Sequence, residues 1–267
     1  MKKRYPITAV ILFALSMQGC ATNKLTGASQ LSLVSEQELQ SLAVTQYKEF
    51  IKSHELVSST NDSRGLLVQK TGKKIAAAVD KYFTDKKNKS ALNGFNWEYN
   101  LVKDSAINAW CMPGGKIVVY TGMLPYTINE NALAIVIGHE VSHALLQHGN
   151  KRMSESIVQE LGGIALSSAL SKNPAKTRNL FMHAYGVGSE IGFMLPFSRK
   201  QELEADRFGL IWAAIAGYDP NEAIHFWERM QKMGGQKTPE FLSTHPSDAT
   251  RIEKIKTYLP EALTYKK

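Results

Sequence analysis

In the stretch Ala134 to Asn150, AIVIGHEVSHALLQHGN, two histidines and a glutamate interrupt an otherwise apolar helix. His139 and His143 stand four apart, so on a helix they project from one face about one turn from each other. Glu140 lies roughly 60° around the helix from His143, and all three side chains can reach one point in space. Two neutral imidazoles at that spacing can hold a zinc ion. The carboxylate can then take a proton from the water that the ion activates and hand it to a leaving amine. The apolar flanks bury this helix, where unpartnered imidazoles and a carboxylate would each cost about 1 to 3 kcal/mol. A metal removes that cost. His148 sits about 140° off the ligand face and reads as a histidine at the helix C-terminus, favourable against the dipole.

A catalytic zinc takes three protein ligands and keeps one position open. The segment SRKQELEADRFG supplies carboxylates, with Glu202 lying 59 residues past His143. Glu202 and Asp206 are four apart and share a helix face, whereas Glu204 points away. One face thus presents a ligand and a second carboxylate behind it, able to accept the outer N–H of a zinc-bound histidine and fix its tautomer. His54, His183 and His225 lack such partners and are assigned to surface or core.

The elements that must position these residues follow from pattern. Ser35 and Glu38 form a capping box that opens a helix through about residue 54. Apolar residues spaced at three and four predict a second helix from Ser63 to Phe83. FNWEYNLVKD and KIVVYTGML read as strands with NAWCMPGG between them, and Pro113, Gly114 and Gly115 mark a tight turn, which predicts a small antiparallel sheet. From Asn129 onward helices dominate, among them the metal helix and one from Ser198 to about Gly217. Residues 151–195, rich in small side chains, read equally as a mobile lid or as packed helices. The expected fold class is α+β, mainly helical, with a small antiparallel sheet beside the HExxH helix.

HEVSHALLQHG, SRKQELEADRFG and NAWCMPGGKIVVYTGML resemble the signature segments of the zinc metallopeptidase family that includes the CAAX prenyl protease, HtpX, BepA and LoiP. The similarity covers roughly residues 35 to 260 and is greatest to the lipid-anchored or periplasmic soluble branch. It implies a gluzincin-like fold with one Zn2+ per chain on His139, His143 and Glu202, supported by Asp206, with Glu140 as general base. It also implies that Asn108, Ala109, Trp110, Pro113 and Gly114 belong to an active-site edge strand. An extended substrate would pair there through its backbone, as an open sheet edge allows. In THPSDATRIEKI, the resemblance implies that His245 approaches the zinc and that Arg251 helps hold a tetrahedral oxyanion, where a positive donor is needed. His245 is left open between a ligand that blocks the free position and a stabiliser of the transition state.

The N-terminus is a different kind of sequence. Lys2, Lys3 and Arg4 precede the apolar run ITAVILFALSM, then Gly19 and Cys20, the order of a secretory signal too short to span a membrane. Its end, MQGC, resembles a bacterial lipobox, which implies cleavage before Cys20 and a lipid anchor there. With no aspartate at Ala21, the expected location is the outer membrane facing the periplasm. Residues 1–19 are then signal, 20–35 lipidated cysteine and linker, and 36–267 the peptidase domain. Cys111 is left alone, a buried hydrophobe rather than half of a disulfide. The net charge of +8 includes three positive charges in the signal, and no basic stripe with interleaved aromatics argues for nucleic acid. The expected function is zinc-dependent endoproteolysis of misfolded or misassembled bacterial envelope proteins. The expected partners are polypeptides, outer-membrane assembly components, and the membrane through the anchor only. The rival is a metal-stabilised chaperone or assembly factor that rarely cuts. Glu140 favours the enzyme, because a binder needs no base beside the zinc.

Overall fold

Residues expected to be a linker instead form a hairpin, β1 (Cys20–Thr22) paired antiparallel with β2 (Ser29–Leu31). The reason is Asn23, whose buried amide donates to the Leu145 carbonyl at 3.2 Å and fastens the hairpin to the body of the domain. The computed structural model describes residues 19–161, 174–185, 187, 196–233, 239–246 and 249–266, so the signal segment and much of the stretch read as lid or packed helices lie outside the described residues.

Helix α1 (Glu36–Ser53) opens as its capping box predicts: the Glu38 N–H donates to the Ser35 hydroxyl at 3.3 Å, and the Ser35 N–H to the Glu38 carboxylate at 3.1 Å. A short strand β3 (Leu56–Val57) follows, then α2 (Ser63–Asp85), capped by the Asp62 carboxylate. Strands β4 (Glu98–Val102), β5 (Ala109–Met112) and β6 (Lys116–Tyr120) complete a sheet of order β3-β4-β6-β5.

The sheet is mixed, which corrects the antiparallel expectation: β4 and β6 run parallel. The segment read as a connection is itself a strand, and β5 turns back on β6 antiparallel. Two reversals of direction therefore leave β4 and β6 pointing the same way, side by side. The tight turn is as expected, with Gly114 and Gly115 at φ of 78° and 81°, a conformation costly for residues with a Cβ. This places β5 at the sheet's edge.

Helix α3 (Glu130–Leu145) runs under the sheet with every residue from Ala132 to Leu145 buried. It is followed by α4 (His148–Leu161), α5 (Pro174–Ala184), α6 (Arg199–Ile215), α7 (Glu222–Gln231), α8 (Glu240–Thr244) and α9 (Ala249–Leu263). One core joins α2, α3, α6, α7 and α9 beneath the sheet; a second gathers Trp110 and Tyr120 against α1, α4 and α5. Helices α3 and α6 meet at Gly138 and Gly209, where a Cβ on either would stand 2.9 Å from the other helix's backbone. Trp212 Nε1 donates to Ser142 Oγ at 2.9 Å nearby, locking the rotation of the two helices. The fold class is thus α+β and mainly helical.

Candidate active site

The two helices that touch through glycine carry most of the site. From α3 come His139, Glu140 and His143, from α6 Glu202 and Asp206, from the residue after α8 His245, and from α9 Arg251. All seven are at most 5% exposed. His139 Nε2 stands 3.0 Å from His143 Nε2 and 3.2 Å from His245 Nδ1. Glu202 Oε1 is 3.0 Å from His245 Nδ1 and 3.4 Å from His143 Nε2. Donor atoms on a zinc tetrahedron with bonds of about 2.0 to 2.1 Å are separated by about 3.3 Å. Three imidazoles and a carboxylate converging at these distances fit a zinc ion and account for burying so many polar groups together.

His139, His143 and Glu202 are each held from behind by another side chain. His139 Nδ1 lies 2.9 Å from Asp206 Oδ1, a position from which a carboxylate can accept the imidazole N–H. Arg251 donates to both Asp206 oxygens at 2.7 and 2.8 Å, and its third nitrogen reaches Glu202 Oε2 at 2.6 Å. Its guanidinium is thereby committed to carboxylates, so the geometry makes Arg251 a positioning residue and does not support the oxyanion role expected of it. Burial disfavours charge on His139, but Asp206 and Glu202 outweigh it and lift its pKa to about 9. Burial works against ionised Glu202 as well, yet Arg251 and the surrounding histidines hold that carboxyl well below the usual range. Burial pushes Glu140 up to about 8, near the range suited to exchanging protons at neutral pH. Glu140 Oε1 stands 3.5 Å from His245 Nε2.

His148 is not the C-cap of α3, as expected, but the first residue of α4. Gln147 at φ 57° turns the chain so that His148 Nδ1 comes within 2.9 Å of His143 Nδ1. Its other nitrogen meets Glu204 Oε2 at 3.3 Å. With His143 Nε2 given to a metal, its Nδ1 would carry the proton and donate to His148, whose Nε2–H would donate in turn to Glu204. Sequence reasoning set Glu204 aside as facing away and missed this relay. It also missed Phe197, stacked on His143 at 3.8 Å, and Arg152, whose guanidinium carbon lies 3.2 Å from the centre of the Phe197 ring and which donates to the Ala184 carbonyl. No signal in the sequence marks that pair.

The residues expected on the edge strand divide. Ala109 and Trp110 lie in β5, Asn108 precedes it, and Pro113 and Gly114 lie in its turn. Asn108 is tied down: its amide nitrogen donates to Glu240 at 2.8 Å and its amide oxygen accepts from the Ala109 N–H. All of β5 is buried, as is Cys111, whose thiol burial pushes up. Cys20 is exposed. Among the described residues no helix is long and apolar enough to cross a membrane.

The model of Peptidase family M48 matches residues 69–259. The mitochondrial metalloendopeptidase OMA1 of Schizosaccharomyces pombe is 37% identical over 175 residues, 65% of this chain and 50% of that protein. Human mitochondrial metalloendopeptidase OMA1 is 30% identical over 247 residues, 90% of this chain and 46% of its own length. The beta-barrel assembly-enhancing protease of Escherichia coli is 30% identical over 167 residues, 58% of this chain and 33% of its own length. The chain spans half or less of these relatives. They overturn the location read from the N-terminal segment: mitochondrial proteins of eukaryotes recur among them, and the assignment to a bacterial outer membrane facing the periplasm is withdrawn. Members of the matched family use zinc, in keeping with the donor set here. The matched span includes both ligand-bearing helices, their supporting carboxylates and the edge strand, and the chain belongs to peptidase family M48.

Proposed function

We propose that the chain is a zinc-dependent endopeptidase that cuts extended segments of misfolded or misassembled polypeptides. The observation that carries this reading is the convergence of His139, His143, Glu202 and His245 at tetrahedral spacing with Glu140 beside them. When bound, zinc supplies a Lewis acid that polarises the scissile carbonyl and makes water nucleophilic at neutral pH. His139, His143 and Glu202 hold it, and Asp206, His148 and Arg251 fix their orientation. Glu140 takes the proton from the attacking water and delivers it to the leaving amine.

The outer edge of β5 binds the substrate backbone. Asn108, Ala109, Trp110, Pro113 and Gly114 lie along or beside it; the Asn108 carbonyl already accepts from Tyr120 and the Ala109 N–H is held by Asn108, and pairing with the remaining peptide groups aligns the scissile bond whatever its side chains. That edge and the metal cluster are buried, so a client must displace what covers them. The distances of His245 from His139 and Glu202 support a reading in which it would occupy the position that a substrate carbonyl needs, a resting arrangement. The name of the E. coli relative, an assembly-enhancing protease, supports clients caught during assembly.

The burial of the whole site also favours a second reading, a metal-stabilised binding or assembly factor with little proteolysis. One experiment separates them. The purified full chain is assayed for bound zinc and for casein cleavage beside Glu140→Gln and His245→Ala. We expect one zinc per chain, cleavage at least about a hundredfold slower in Glu140→Gln, and faster cleavage in His245→Ala. Equal cleavage by wild type and Glu140→Gln sinks the mechanism. Zinc without cleavage in any form assigns the binder, and slower cleavage in His245→Ala gives that histidine the transition-state role.

A further inference from the structure

Near the start of the edge strand lies a cavity of about 390 Å³ that the reaction proposed above leaves unused. Its walls include Phe50, Tyr120, Met182 and Val187. Its polar lining is dominated by acceptors: the carboxylates of Glu49, Asp104 and Glu240, and the amide of Gln46. Gln46 is 6% exposed and, among the described residues, its Oε1 has no hydrogen-bond partner, a buried acceptor in the cavity wall. Such an orphan is costly unless something donates to it. Arg178, the cation of the lining, is already 3.6 Å from Glu49. His54 Nδ1 is held by its own helix at the Phe50 carbonyl, 2.8 Å away.

The cavity is joined to the substrate strand by hydrogen bonds. Glu240 accepts from the Asn108 side chain at 2.8 Å, and the Phe241 N–H donates to the Ile107 carbonyl at 3.0 Å. Tyr120, in the cavity wall, donates its N–H to the Asn108 carbonyl at 3.1 Å. The cavity therefore adjoins the start of β5, beside a peptide that would lie along that strand.

We propose that this cavity is a subsite for a basic side chain, lysine or arginine, of the polypeptide being cut; the inference rests on β5 being the substrate strand. The chemistry is selective in both halves. A long methylene stem packs against the apolar walls while its head, carrying three or five donors and no acceptor, meets Gln46 Oε1 and the carboxylates of Glu240 and Asp104. An acidic side chain would meet like charge, and an apolar one would leave the Gln46 acceptor buried without a donor. Burial and the neighbouring Asp104 push the Glu240 carboxyl up to about 7, the state of an acid that lacks a cationic partner.

The test measures binding, so that it does not depend on turnover. Fluorescein-labelled octapeptides carry one arginine, or its uncharged analogue citrulline, walked through an alanine–leucine background. They are titrated by anisotropy against full-length Glu140→Gln. At one position arginine should bind about tenfold more tightly than citrulline. Both Glu140→Gln/Glu240→Gln and Glu140→Gln/Gln46→Leu should shrink that ratio toward one. No binding at any position, equal affinities throughout, or a preference that survives Glu240→Gln overturns the subsite. If the arginine preference is found and the unmodified chain still cuts none of these peptides, the subsite stands and the peptidase reading falls.

Discussion

Glu240 ties a single titration to the stability of the fold. Burial and Asp104 raise its pKa from 4.5 to about 7, while the Asn108 side chain pulls the other way. Between these two values the folded chain holds a proton that the unfolded chain has lost. Stability therefore falls as pH rises through that window and levels off above it. Glu240→Gln is uncharged at every pH and lacks this slope, so its melting temperature should gain on wild type between pH 5 and pH 8. A gap that stays flat across that range would show that the carboxyl is not buried as described. At the same scale, Gln147 explains what the sequence hid. The helical-wheel argument that set His148 and Glu204 aside assumes one unbroken helix. Gln147 at φ 57° ends α3 and restarts the chain as α4, bringing His148 back onto His143. His139, His143 and Glu202 were legible because each pair of relevant residues lies within one helix, where 3.6 residues per turn fixes the geometry.

The helices were easier to read than the sheet for a similar reason. Capping at Ser35 and at Ser198, where the Gln201 N–H donates to the serine hydroxyl at 3.3 Å, is a local signal three residues long. The order and direction of β4, β5 and β6 depend on pairings that local periodicity does not encode. The distance between the two ligand-bearing helices also escapes pattern reading, although its cause is two single glycines. Gly138 precedes the first ligand, and Gly209 lies one turn beyond Asp206. Gly209→Ala would place a methyl group 2.9 Å from the His139 backbone nitrogen and push α3 from α6. The expected cost is about 1 to 3 kcal/mol in urea unfolding, together with weaker zinc retention against a competing chelator, because Glu202 retreats from the two histidines. A variant that loses stability but holds zinc as tightly as wild type would show that the donor set adjusts independently of helix spacing.

Across the whole molecule, the metal cluster joins segments up to 106 residues apart in the chain: α3, α6, and the link between α8 and α9, from His139 to His245. An ion that binds only where these meet stabilises the folded state by about 2.7 kcal/mol at one hundred times its dissociation constant. Its removal does not leave the donors wholly uncompensated. Asp206 and Glu202 lift the His139 pKa to about 9, so a proton can take over part of the metal's charge beside Glu202. The stripped chain should therefore remain folded and melt lower, by on the order of 5 to 10 °C for a domain of this size. The shift should reverse when zinc is restored, and it should persist in Glu140→Gln, which lacks the base but keeps all four donors. Differential scanning calorimetry with and without a chelator measures it. An unchanged melting temperature would mean that the four donors do not hold a metal in the folded chain, and the proposed activity would go with them.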